Sequence, residues 1–313
     1  MWRSRLRWER SQLNNRVEQA GSLRSQGPRE QRLGAQPAIL GAIIVLTMTP
    51  IRVAVTGATG KMGREVLLAL CKDPEVEPVG AISRSAGSAT LPLPDGSRAI
   101  PLGQEVGPLL DEVKPDVLVD FTNASYAVSS AREAIPRGVR PVIGTSGLTE
   151  QDVNELGGLC AAAGVGGVFA PNFALGAIMM MHMANIAARF FDYAEILEMH
   201  HEAKADAPSG TAIATARAMA GARGGPFKTS PTEKATIPGS RGAEVEGIPL
   251  HSLRLPGLLA HQEIVLGATG QTLRIRHDTI SRECYMPGVL LAVKEVMKRQ
   301  ELVVGLDRLL GLE

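Results

Sequence analysis

Short apolar runs alternate with amphipathic helical stretches along the chain from Ile51 onward. Residues 51–56 read as a buried strand, because apolar positions follow one another without the 3.6-residue period of a surface helix. A glycine-rich turn follows, then a helical pattern over 61–72. Apolar strands are predicted at 78–82 and, after the turn signal Lys114-Pro115, at 117–121. A helix over 124–137 stops near Gly138, and a strand at 141–144, a helix over 151–163 and a strand at 167–170 continue the series. Strands alternating with helices predict an α/β class, a Rossmann-type doubly wound parallel sheet.

The pattern changes after Asn172. Residues 175–190 form a long apolar, Met-rich helical stretch, followed by a strand at 194–199 and an Ala-rich helix over 211–221. Runs at 248–255, 261–266 and 272–277 read as longer antiparallel strands, and 286–299 as a final amphipathic helix. The prediction is a dinucleotide-binding domain over 48–173 and a second α+β domain over 174–284 with a mostly antiparallel sheet. Helices in 285–313 return to the first domain. No internal repeat or coiled coil interrupts this order.

The first strand and helix enclose Gly57-Ala58-Thr59-Gly60-Lys61-Met62-Gly63. Gly57 allows the tight turn, Gly60 lets backbone N–H groups approach a pyrophosphate, and Gly63 lets helix and strand pack closely. The helix start supplies partial positive charge. The same tetrapeptide recurs at Gly267-Ala268-Thr269-Gly270, but a strand pattern follows it, so it is predicted to be a hairpin turn. At the end of the second strand stands Ile82-Ser83-Arg84-Ser85, with no carboxylate for a ribose 2′-hydroxyl. Arg84 between two hydroxyls suits a 2′-phosphate, which points to NADPH and leaves NADH open as a second donor.

Composition narrows the class. Of 313 residues, 44% are apolar and 21% charged, ordinary for a globular chain of about two domains. Residues 1–47 hold eight of the 33 basic and three of the 32 acidic residues, which leaves 25 against 29, a net charge of −4, for the rest. That body is no nucleic-acid binder. The Arg-rich 1–47 stretch is expected to be a disordered extension, or to precede a true start at Met48, rather than to be a targeting segment. Apolar residues 38–48 fall far short of the roughly 20 needed to cross a bilayer. Cys71, Cys160 and Cys284 have neither metal-ligand nor disulfide spacing and fit a reducing, cytoplasmic compartment.

Chemistry concentrates in Glu198-Met199-His200-His201-Glu202-Ala203-Lys204-Ala205-Asp206-Ala207-Pro208-Ser209-Gly210-Thr211-Ala212. Histidine gives up a proton near neutral pH, and Lys204 can pair with an anion or donate a proton. Ser209, Gly210 and Thr211 open a helix with free N–H groups and two hydroxyls, a carboxylate site. Adjacent histidines without a third spaced ligand argue against zinc.

This stretch resembles the dihydrodipicolinate reductase family, whose pattern E-x-H-H-x-x-K-x-D-A-P-S-G-T-A is met in full. Asp120-Phe121-Thr122, Gly144-Thr145-Ser146-Gly147 and Ala170-Pro171-Asn172-Phe173-Ala174-Leu175-Gly176 follow the family order. The resemblance implies that Gly57, Ala58, Thr59, Gly60, Lys61 and Met62 hold the pyrophosphate and Arg84 the 2′-phosphate. It puts Gly144, Thr145 and Ser146 on the nicotinamide side. Ala170, Pro171, Asn172 and Phe173 close the cofactor site, and Arg282 lies near the hinge. His200 becomes the catalytic acid/base and Lys204 a proton donor, while His201, Ser209, Gly210 and Thr211 face the substrate carboxylates. The implied reaction is reduction of 4-hydroxy-tetrahydrodipicolinate, a cyclic imine dicarboxylate, in the diaminopimelate route to lysine, by a homotetramer. Two departures stand out. Ser83 replaces an acidic residue of many bacterial members, and Ala260-His261-Gln262 replaces Gly-Glu-His, which looks like a photosynthetic-lineage, cyanobacterial-type branch.

Two other classes compete. A different two-domain dehydrogenase would need an activated cysteine or another Lys-Asp pair, and neither Cys160 nor Cys284 sits in an activating context. A non-catalytic NADP sensor would have no use for His200 and Lys204 beside an anion site.

Overall fold

A computed structural model describes residues 49–312 of the protein; the 1–47 extension and the start at Met48 lie outside the described residues. The chain builds two sheets. The first takes β1 (Ile51–Thr56), β2 (Val76–Ile82), β3 (Thr90–Pro92), β4 (Ala99–Gly103), β5 (Val117–Asp120), β6 (Arg140–Ile143), β7 (Gly167–Phe169) and β13 (Leu302–Val304). Their order is β13-β7-β6-β5-β1-β2-β4-β3, parallel throughout except for the β3–β4 hairpin at one edge. Strand alternation sends Val53 and Val55 to one core and Ala54 to another. Helix α1 (Lys61–Lys72) and helix α7 (Met286–Val296) cover the first face, through Leu67, Leu70, Val289 and Val293. The opposite face packs against α2 (Val106–Val113), α3 (Ala124–Ala134) and α4 (Glu150–Ala163). Helices on both faces are what a parallel sheet requires, since its crossovers place them there.

The second sheet contains β8 (Tyr193–His200), β9 (Ala243–Val245), β10 (Ile248–Arg254), β11 (Ala260–Ala268) and β12 (Gln271–Thr279), ordered β12-β11-β8-β10-β9. Helices α5 (Leu175–Ala188) and α6 (Gly210–Arg223) lie on one face, where Met180, Ala184, Ala216 and Met219 meet Ile196, Leu250 and Ile264. The sheet is mostly antiparallel, with one correction to the sequence reading. β10 runs parallel to β8, because the chain crosses over through α6 and re-enters from the same end. The recurrent tetrapeptide joins β11 to β12. Ala268 pairs with Gln271, leaving Thr269-Gly270 as the hairpin tip.

Several boundaries moved. The helix expected to reach residue 137 ends at Ala134 and tightens into a 3-10 turn over Ile135–Arg137, where Pro136 cannot donate to the α-helical ladder. The last long helix stops at Val296, after which the chain supplies β13 beside β7 and then α8 (Leu306–Leu310). The elements β3, β4, α2, β9, β13 and α8 had no sequence reading. Most are three to five residues long, too short for periodicity to register.

Candidate active site

The β1–α1 turn is shaped by glycine. Gly57 has φ +62°, and a side chain on Gly63 would bring Cβ within 2.3 Å of the Gly57 carbonyl oxygen. Gly60 caps α1 without any side-chain hydrogen bond, so the N–H groups that begin the helix are served by no side-chain cap. Gly57, Thr59 and Gly60 line a cavity of about 550 Å³ together with Ser83, Arg84 and Tyr126. Thr59 Oγ1 lies 2.8 Å from Ser83 Oγ, which is 3.3 Å from Ser85 Oγ, and the Arg84 guanidinium stands 5.9 Å from the Tyr126 ring centre. A bare helix start facing hydroxyls and one guanidinium fits the phosphates of a dinucleotide. Ala58 takes a supporting place. It is fully buried, and its N–H is donated to the Ile82 carbonyl at 3.2 Å.

A second cavity, about 420 Å³, gathers residues from both sheets. Met62, Gly144, Ser146, Pro171, Asn172 and Phe173 come from the first sheet's side, Arg282 from the 3-10 turn Arg282–Tyr285. His200, His201, Lys204, Ser209 and Thr211 come from the other. Gly144 is needed for packing here, because a Cβ would lie 2.0 Å from the Phe121 ring. That ring meets Phe173 edge-on at 5.3 Å. Thr145 and Ala170 are buried behind this wall, with the Ala170 N–H bonded to the Ile143 carbonyl, and neither lines the cavity. Lys61 is exposed and lines neither cavity; Gly210 is exposed and opens α6.

His200 ends β8. Its Nδ1 lies 2.6 Å from Glu198 Oε2. Burial alone would raise the Glu198 carboxyl, but the Arg254 fork and His200 outweigh it and hold it below the ordinary value. An ionised carboxylate only accepts, so Nδ1 carries the proton and Nε2 is the ring nitrogen left for the cavity. Burial lowers the His200 pKa, and the Glu198 carboxylate works against that shift. Lys204 Nζ lies 2.6 Å from Asp206 Oδ1, and this bond holds the Asp206 carboxyl below its usual range. Ser209 caps α6 by accepting from the Ala212 N–H at 3.2 Å. A second tether joins helix to sheet. Gln262 Nε2 donates to Thr215 Oγ1 at 2.9 Å, and Thr215 Oγ1 donates to the Thr211 carbonyl at 2.8 Å.

Sequence reasoning passed over Phe121, Tyr285 and a row on the sheet floor. Gln262 stands opposite both Glu198 and His277, and all three strands point the same face at α6. Alternation within β11 and β12 was readable, but the register between them was not. His261 also lines the cavity, yet both its nitrogens are used. Nε2 accepts the Leu259 N–H at 3.2 Å and Nδ1 faces Asp278 Oδ1 at 2.7 Å. His277 carries a pKa lowered by burial. The cysteines are not activated. Burial pushes Cys160 up to about 11 and raises Cys284 as well. Among the described residues, no cluster of three His, Cys, Asp or Glu is placed for a metal, and no helix is long and apolar enough to cross a membrane.

A parallel sheet with a bare glycine turn, joined to a second sheet across a histidine- and lysine-lined cavity, defines an NAD(P)H-dependent oxidoreductase of two domains. Family models described as dihydrodipicolinate reductase, N-terminus and C-terminus, match residues 51–173 and 176–310. The chain belongs to the dihydrodipicolinate reductase family. A 4-hydroxy-tetrahydrodipicolinate reductase of Dehalococcoides mccartyi is 51% identical over 265 residues, 85% of this chain and 100% of that one. A relative of the same name from the cyanobacterium Synechococcus elongatus is 47% identical, covering 83% and 99%. Dipicolinate-bound dihydrodipicolinate reductase from Paenisporosarcina sp. superposes with a TM-score of 0.74 at 39% identity, over 83% of this chain and 99% of that one.

Proposed function

We propose that this protein reduces 4-hydroxy-tetrahydrodipicolinate to tetrahydrodipicolinate in the diaminopimelate route of lysine biosynthesis, with NADPH as the preferred donor. The observation that carries the reading is one cavity shared by His200, His201, Lys204, Ser209 and Thr211 with Met62, Gly144 and Phe173. When bound, the nicotinamide supplies the hydride. The α1 start, with Thr59 and Arg84, holds the phosphates; Gly144, Ser146, Pro171, Asn172 and Phe173 form the cofactor-side wall, with the buried Thr145 and Ala170 behind it and Arg282 beside it.

The N–H groups of Gly210 and Thr211, with His201, hold a substrate carboxylate and so orient the ring. Lys204 sets a cation where negative charge develops on the ring. The ring hydroxyl leaves as water before the hydride arrives. His200, entering the step protonated at both nitrogens, then delivers from Nε2 the proton that completes the reduction and returns to its Nδ1–H form, with Lys204 as a second donor. The residues divide as a dinucleotide-binding domain over 48–173, a substrate and assembly domain over 174–284 and a returning segment over 285–313. A homotetramer working in the cytoplasm completes the proposal. The exposed Met183, Ile186 and Phe190 leave apolar surface for such an assembly.

The test is a coupled assay. Substrate generated from pyruvate and aspartate semialdehyde by a synthase is supplied to the protein, and NADPH loss is followed by absorbance. Substrate-dependent oxidation, faster with NADPH than with NADH, is expected. A folded protein that binds NADPH but oxidises none of it refutes the reading.

A further inference from the structure

Behind the second cavity, against His200, lies a charge that no step above consumes. Glu198 is 0% exposed, yet both its oxygens are fully engaged. Oε1 accepts the Ser209 N–H at 3.1 Å and Arg254 Nη2 at 2.8 Å. Oε2 accepts Arg254 Nη1 at 2.8 Å and faces His200 Nδ1 at 2.6 Å. We infer that Glu198, clamped by Arg254, is a positioning residue that fixes the His200 ring in its Nδ1–H form and ties it to the anion-binding start of α6. The inference rests on the assignment of His200 as the proton donor.

First, an apolar side chain of similar size would fill this space without the desolvation cost of a buried ion pair, so stability gives little reason for the pair. Only a carboxylate can accept from an imidazole, a guanidinium fork and a backbone N–H together. Second, the placement follows from the strands. Glu198 and His200 are two residues apart on β8 and share one face. The parallel partner β10 sets Arg254 opposite His200. Third, the clamp reaches the loop that carries the lysine. Arg254 Nη2 also donates to the Asp206 carbonyl at 2.7 Å, and Asp206 holds Lys204. One arginine thus links the proton donor, the lysine loop and the carboxylate-binding helix start.

The charged groups facing His200 are Glu198 on its own strand, Arg254 on β10 and Lys204 on the loop. In its row on β11 and β12 stand Ala260 and Thr279, neither of which titrates in the working range. Of these groups only Glu198 raises the His200 pKa. Its removal therefore lowers the midpoint.

The experiment combines imidazole ¹⁵N NMR on the histidine-labelled full chain with a double-mutant cycle in the coupled assay. His200→Asn identifies the His200 resonances. In the unaltered protein the neutral ring is expected as the Nδ1–H tautomer. Glu198→Gln is expected to mix the tautomers and lower the titration midpoint, with NADPH affinity unchanged. Turnover is expected to fall at least about tenfold on Glu198→Gln in the unaltered chain and less than about twofold in the His200→Asn background, because residues acting as a unit are non-additive. Arg254→Lys keeps the charge and loses the fork, and it carries the same readouts if Glu198→Gln fails to fold. An unchanged tautomer and midpoint, or equal losses in both backgrounds, overturns the inference. If His200→Asn itself retains turnover, the proton-donor assignment fails, and the NMR titration still decides whether Glu198 orients the ring.

Discussion

Two helix starts serve this molecule, and they are built in opposite ways. The start of α1 is bare. Gly60 offers no side-chain cap, and the turn is held by backbone and by the contact between Gly63 and Gly57. The start of α6 is furnished. Ser209 caps it, the Ser209 N–H is bonded to the buried Glu198, and Gln262 braces the Thr215 hydroxyl. Both present N–H groups and the positive end of a helix dipole. A dinucleotide phosphate needs close backbone approach, which any side chain at the turn would obstruct. A small dicarboxylate undergoing proton transfer needs fixed polar groups around it, and these must be anchored by further hydrogen bonds. On the proposed function, the contrast separates a binding device from a reacting one.

The sharpest way to break that contrast is to disable the furnished start alone. His200→Ala and Lys204→Ala are each expected to lower kcat at least about 100-fold while NADPH affinity stays within about twofold. Loss of nucleotide binding in either variant merges the two devices. Next comes the bare start. Gly63→Ala forces Cβ to 2.3 Å from a carbonyl oxygen, and NADPH binding, read by fluorescence titration, is expected to weaken at least about 30-fold. On the proposed 2′-phosphate role of its guanidinium, Arg84→Ala is expected to raise the KM for NADPH about tenfold and that for NADH little. Equal changes in both constants would falsify that role.

Smaller effects sharpen the comparison by stability and pH. Ser209→Ala removes the α6 cap and is expected to cost about 1 kcal/mol in denaturant unfolding. Glu198 has a folded-state pKa below its ordinary value. Its contribution to stability is therefore full above the ordinary glutamate value and is lost as pH falls through the lowered one. As pH falls below the ordinary glutamate value of about 4.3, the wild-type Tm is expected to drop more steeply than that of Glu198→Gln. Parallel slopes remove the claim.

The repeated tetrapeptide shows how much of this was legible. Gly57–Gly60 and Gly267–Gly270 have one sequence and two structures, and the residues after each predicted which would be which. Before α1 the chain continues with a helical period. After Gly270 it continues with strand-forming residues and closes a hairpin. The constellation from Glu198 to Ala212 was also readable, because its members are close in the chain. Phe121 was quoted in a motif but not seen as a wall, since its partner Phe173 is 52 positions away. Arg254 was not seen at all. An arginine at a strand end has no local mark that distinguishes a half-buried clamp from a solvated side chain.

By itself the sequence determined the kind of each long element, the glycine turn, the reactive stretch and the family. These rest on local periodicity and short-range chemistry, which nearby residues encode. Tertiary structure decided the parallel entry of β10, the row of Glu198, Gln262 and His277, the pairing of β13 with β7 in the first sheet, and the joining of two half-sites in one cavity. Register and crossover direction depend on many weak contacts between distant segments, and only the packed chain sums them.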